Sequence, residues 1–157
     1  MDQCGNGWAY VVNIVGLVVG WLVVHRFSKQ RDLERARREL ACSEIDTLLE
    51  LVDEIFEAAI TYHGGSTRDI RAERSIKMRL QDLAQRLSAL RGTSQGAAEI
   101  TAAQRRVLAL RTAATGSHFE DDFEGSSTSG EDSIASVTDA MLALRRDLVC
   151  LKHAQFP

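Results

Sequence analysis

The sequence predicts an all-α protein in which an N-terminal transmembrane helix precedes a cytoplasmic antiparallel helical bundle. Three observations predict it. Residues 8–24 hold no charged side chain, whereas residues 25–40 hold nine. Beyond residue 25 the apolar side chains recur at steps of three and four, and no stretch sustains a period of two. The only proline is Pro157, so no helix is broken on proline's account. The averages themselves (157 residues, 45% hydrophobic, 26% charged, net charge −3) exclude collagen, a disulfide scaffold and wholesale disorder.

Residues 1–7 form a short tail whose one charge is Asp2. It lacks the basic stretch of a secretory signal, and the apolar run that follows ends in Val23-Val24-His25-Arg26 with no small-residue cleavage site. The tail is therefore expected to stay attached.

Residues 8–24 carry one polar side chain, Asn13. At a rise of ~1.5 Å per residue the run is about 26 Å long, the short end of what crosses a hydrocarbon core. Trp8 and Tyr10 stand at one end and Trp21 near the other, where amphipathic rings favour the headgroup layer. Arg26, Lys29 and Arg31 follow at once; Arg26 and Lys29 can extend toward the headgroups and lengthen the effective span. No Lys or Arg precedes the run, while six lie in residues 26–38. The positive-inside rule then puts the tail outside and everything after residue 25 in the cytoplasm. Gly16 and Gly20 form a GxxxG, and Asn13 shares their helical face. Small residues allow two helix backbones to approach closely, so Asn13, Gly16 and Gly20 are the candidate residues for association of the span into a homo-oligomer.

Residues 25–115 read as a helical region with helices over about 29–62, 67–91 and 97–115. The first stripe is Leu33, Ala36, Leu40, Ala41, Ile45, Leu48, Val52, Ile55, Phe56 and Ala59, stopped by Gly64-Gly65. Nothing between Val24 and Lys29 separates this helix from the span. Ser66 or Thr67 is expected to cap the second helix, whose stripe is Ile76, Leu80, Leu83, Leu87 and Leu90. Gly92 stops it, and the short connection to Gly96 suits an antiparallel hairpin. The third stripe runs Ile100, Ala103, Val107, Leu110, Ala114 and ends at Gly116. A last helix over 134–154, capped by Asp132 or Ser133, carries Ile134, Val137, Met141, Leu144, Leu148 and Leu151. Four such stripes bury one another in a bundle, with spacing that also suits coiled-coil packing. Charge favours a particular pairing. Residues 41–65 have six acids and no Lys or Arg, while residues 66–91 have seven basic side chains against three acids.

Residues 116–133 contain six acids and no Lys or Arg and read as a flexible acidic loop. Phe119 and Phe123 within it are candidate partner-binding residues. A calcium loop counted from Asp122 fails, because Ser127 and Ser133 stand where Gly and Glu are needed.

No catalytic residue, metal site or cofactor emerges. His25, His63, His118 and His153 are isolated, and Cys4, Cys42 and Cys150 make no CxxC pair. Thiols rather than disulfides are expected, with Cys4 the one position suited to an intermolecular bridge. Neither HExxH, GxSxG, a P-loop nor GxGxxG occurs. Nucleic acid is disfavoured as a partner, because the basic stretch abuts the bilayer and has only Phe27 for stacking. Attraction to anionic headgroups is the simpler role, each Lys or Arg contributing ~1 kcal/mol.

The stretch Val23-Val-His-Arg-Phe-Ser-Lys-Gln-Arg-Asp-Leu-Glu-Arg-Ala-Arg-Arg-Glu-Leu40 resembles the juxtamembrane segment of small, uncharacterised bacterial proteins with one N-terminal span and a cytoplasmic helical region. Leu144-Arg-Arg-Asp-Leu148 is similar to their ends. The resemblance implies a bacterial inner membrane and no activity. The functional expectation is a single-pass, membrane-anchored interaction or scaffold protein without catalysis, holding the bilayer and a cytoplasmic protein as partners. The alternative is a small oligomeric pore-forming or holin-like effector, with Asn13 as the one polar group to line a pore.

Overall fold

A computed structural model describes residues 5–65, 67–91, 96–116 and 127–155, and their side chains within 14–65, 67–91, 96–116 and 131–155. The described residues contain four helices and no strand: α1 (Gly5–His63), α2 (Ile70–Leu90), α3 (Ala97–Ala114) and α4 (Ser127–Ala154). The chain divides into two compact units, Met1–Arg37 and Arg38–Pro157.

In the first unit the described side chains belong to α1 alone, and every residue from Ile14 to Arg37 is exposed. Leu33 and Ala36, expected in the buried stripe, are among them, with Leu33 60% exposed. Among the described residues no helix is long and apolar enough to cross a membrane. Of the apolar run 8–24, the described side chains begin at Ile14.

The second unit is a four-helix bundle whose directions can be read from its ion pairs. Along α1 and α2, Glu54 meets Arg79 at 3.7 Å and Glu44 meets Arg86 at 3.5 Å, so one helix ascends as the other descends. Along α1 and α4, Asp53 meets Arg145 and Asp46 meets Lys152, each at 2.6 Å, in the same reversed order. The α3 helix returns against α4, with Arg106 on Asp147 at 3.2 Å. His63, closing α1, touches Ala114, closing α3. Consecutive helices are therefore antiparallel, and α4 closes the ring on α1.

The stripes predicted for α2 and α3 are buried in full. Ile45, Leu48, Val52, Ile55 and Ala59 of α1 join them, with Val137, Met141, Leu144, Leu148 and Leu151 of α4, in one core. Burying each Leu or Ile contributes roughly 1.5–3 kcal/mol, and this packing, more than helix propensity, holds the four helices together. Leu40 and Ile134 depart from the stripes in this unit: Leu40 is 70% exposed, with the core starting at Ala41, and Ile134 is half-buried outside the core, while Phe56 packs half-buried against it. The pairing of Glu44 with Arg86 places Leu40 level with the last turn of α2, where neighbouring helices end.

Two helix starts differ from expectation. Asp69, rather than Ser66 or Thr67, caps α2, its carboxylate accepting from the amides of Arg71 and Ala72. Asp satisfies two of the amides that a helix start leaves open. The α4 backbone is already helical at Ser127, so Asp132 and Ser133 lie within the helix and do not cap it. Gly96 precedes α3 with φ +114, a left-handed conformation that favours glycine. A Cβ there would also stand 3.2 Å from Leu151 Cδ1, so α4 needs the missing side chain as well.

Candidate functional site

In the first unit, the residues singled out for association and membrane contact lie on consecutive turns of α1. Gly16 and Gly20 are exposed, and a Cβ built on either meets nothing within 4 Å. Among the described residues nothing in this unit occupies the face they share. Trp21 stacks on His25 one turn later, ring centroids 5.1 Å apart and nearly parallel at 3°. Arg26, Lys29 and Arg31 are all exposed on the turns that follow. Trp8, Tyr10 and Asn13 have helical backbone, but their side chains lie outside the described residues, as do Phe119 and Phe123 altogether. Around this string the surface is almost wholly apolar: Ile14, Val15, Leu17, Val18, Val19, Leu22, Val23 and Val24 are each 49–74% exposed.

The second unit holds a buried polar cluster that the sequence reading missed. The Tyr62 hydroxyl donates to Glu73 Oε1 at 2.8 Å, and Arg68 Nε donates to the same oxygen at 2.8 Å. Arg68 Nη2 reaches the other carboxylate oxygen at 3.3 Å. Glu73 is 3% exposed, so this is a carboxylate held inside the bundle by a guanidinium and a phenol. Its pKa is lowered: the hydrogen bond from Arg68 is the largest cause and outweighs burial, which pushes the other way, while Tyr62 and Lys77 add to the lowering. Beside it, His63 Nε2 donates to the Ala114 carbonyl at 3.1 Å, and the Tyr62 and His63 rings meet edge to face.

The cluster sits where the chain turns from α1 into α2. Gly64 and Gly65 end α1 through amides donated to the Ile60 and Tyr62 carbonyls, and Arg68, in the link that follows, reaches forward to Glu73 on α2. With no buried side-chain nitrogen or oxygen lacking a partner among the described residues, the arrangement fastens three helix ends together. The cue was present in the sequence: a glutamate in the first turn of a basic helix, eight residues after Gly65. Its burial depended on which face of α2 turned inward.

The remaining titratable groups are dispersed. No group of three or more His, Cys, Asp or Glu able to hold a metal occurs among the described residues. Cys42 is buried, and burial pushes its thiol up, while Cys150 is exposed; both are free thiols. Arg86 is drawn into Asp82 and Glu44 at once, and the hydrogen bond to Asp82 is the main reason its pKa is raised.

Comparison with protein families, with curated proteins and with solved structures finds no match to this chain.

Proposed function

We propose that the chain is a single-pass, membrane-anchored interaction protein. Residues 8–24 cross the bilayer, the tail lies outside, and the helical bundle works at the cytoplasmic face without catalysis. The observation that carries this reading is the exposure of every side chain from Ile14 to Val24. Eleven residues make about three turns, so the exposed apolar surface runs around the whole helix rather than along one stripe. Contiguous apolar surface of that kind is not stable in water and marks contact with lipid or another chain. Trp21, and Arg26, Lys29 and Arg31 immediately beyond, support lipid as the medium, and the cations favour the cytoplasmic side. The resemblance of residues 23–40 to bacterial juxtamembrane segments supports a bacterial inner membrane.

Self-association through Asn13, Gly16 and Gly20 belongs to the same proposal, since the open glycine face leaves room for a second helix. Anchoring then raises the local concentration of bundles, so that weak contacts with a cytoplasmic protein gain by avidity.

Fractionation tests the anchor. The full chain should stay with the membrane pellet through an alkaline carbonate wash, and a fluorescent protein fused after Pro157 should mature in the cytoplasm. Recovery in the soluble fraction, or activity of a periplasm-dependent reporter at the same position, overturns it.

A further inference from the structure

We infer that the groove between α2 and α3 receives an amphipathic helix of a partner protein, with that helix's carboxylates gathered at one end. The inference rests on the proposed role of the bundle as the partner-binding part of the chain, and it names the chemistry of that partner. The groove encloses about 940 Å³. From Lys77 to Ser88 its α2 wall is ~17 Å long, enough for about three turns of a docked helix. Ala84 and Leu108, both exposed and the latter at 63%, are its accessible apolar lining, over the core side chains Leu80, Leu87 and Val107. A helix carrying leucines three and four apart fills such a trough by its apolar face.

Charge selects the occupant. Among the described residues no Asp or Glu lines the groove, whereas Lys77 and Arg111 both do, at the end nearest Thr115. Arg74, seven residues before Gln81 and therefore on the same face of α2, adds to that end. The bundle's acidic helix α1 draws Arg79, Arg86, Arg145 and Lys152 into ion pairs. Arg74 and Arg111 make no ion pair among the described residues, and both are exposed. The opposite end presents Gln85, Ser88 and Gln104, neutral groups that can meet polar side chains of either sign. The occupant is thus apolar along its length, acidic at one end and uncharged at the other. A uniformly anionic surface would make no use of the apolar lining.

The test uses the full chain in detergent, so that it reads the bundle whether or not residues 8–24 prove to be an anchor. Three labelled synthetic helices of about fourteen residues share one leucine stripe and carry glutamates, glutamines or lysines in their first turn. Fluorescence anisotropy should show the glutamate helix binding at least about tenfold more tightly than the glutamine helix. Arg74→Glu with Arg111→Glu should remove that preference and transfer it to the lysine helix. Leu108→Gln should weaken the glutamate and glutamine helices alike. Circular dichroism melts unchanged from the parent show that the variants fold. Equal binding of all three helices, or indifference to the substitutions, overturns the inference. So does a result in which the same substitutions alter only sedimentation with phosphatidylglycerol vesicles, or only the oligomeric mass of the chain.

Discussion

Asp53 and Arg145 stand ninety-two positions apart in the chain and meet at 2.6 Å. With Asp46 on Lys152 two turns away, this contact fixes the register of the last helix on the first. Both partners are more than 40% exposed, so the contact chooses an alignment more than it adds stability. Asp53→Arg should lower stability by about 1 kcal/mol, and adding Arg145→Asp should recover most of the loss. Urea midpoints of the four chains in the cycle measure it, and failure of the double variant to recover dismisses the pairing.

Glu73 gives the bundle an acid-labile part. Its carboxyl binds protons less readily when folded than unfolded, so its contribution is complete above the unfolded value of about 4.3 and is lost as pH falls through the lower folded value. Glu73→Gln should cost about 1–3 kcal/mol near neutrality, since Arg68 loses its charged acceptor. The gap between the parent and this variant should shrink steadily below pH ~4. Paired denaturation curves across that range report it; a constant gap contradicts the assignment.

Position along α1 should decide what a leucine is worth. Leu48 is fully buried, and Leu48→Ala should cost about 2–5 kcal/mol. Leu40→Ala, at 70% exposure, should stay within about 0.5 kcal/mol. Thermal or urea unfolding of the two variants separates them directly.

Substituting Gly16 and Gly20 with Ile should abolish the signal in a membrane two-hybrid assay while leaving bundle stability unchanged, because neither position has a neighbour to displace. Gly96→Ala should do the reverse, costing about 1 kcal/mol or more through its left-handed backbone and the nearby Leu151 side chain. An unaltered two-hybrid signal removes the glycine face from the mechanism of association.

Induced expression with a potential-sensitive dye distinguishes an anchor from a pore. The membrane potential should hold, with Asn13→Leu indistinguishable from the parent. Collapse of the potential that Asn13→Leu prevents would favour the pore-forming alternative.

Where a stripe lay within the bundle, period alone located the buried side chains, as α2 and α3 show residue for residue. The same rhythm at Leu33 and Leu40 led to exposed side chains, because periodicity records a face and not whether a neighbour exists to cover it. Opposite charge anticipated the pairing of α1 with α2 but not the second row of cations from α4. That helix carries both signs, and only its register brings Arg145 and Lys152 to the acids. The Asp69 cap and the Glu73 cluster escaped notice for a related reason. Several polar residues near the Gly64-Gly65 turn were equally suited to capping, and where the backbone entered the helix chose Asp69, while Glu73 was buried by the face that α2 turned inward. The α2–α3 groove has no sequence signature, since it arises from what lies between two helices.

Because successive helices reverse direction, Ala41 and Gln155 lie at one pole of the bundle, whereas Gly116, from which the acidic stretch departs, lies at the other beside His63. The helices between them are about 30 Å long. A substitution at Gln155 and one at Gly116 therefore act on opposite ends of the bundle, and their effects on its stability should simply add.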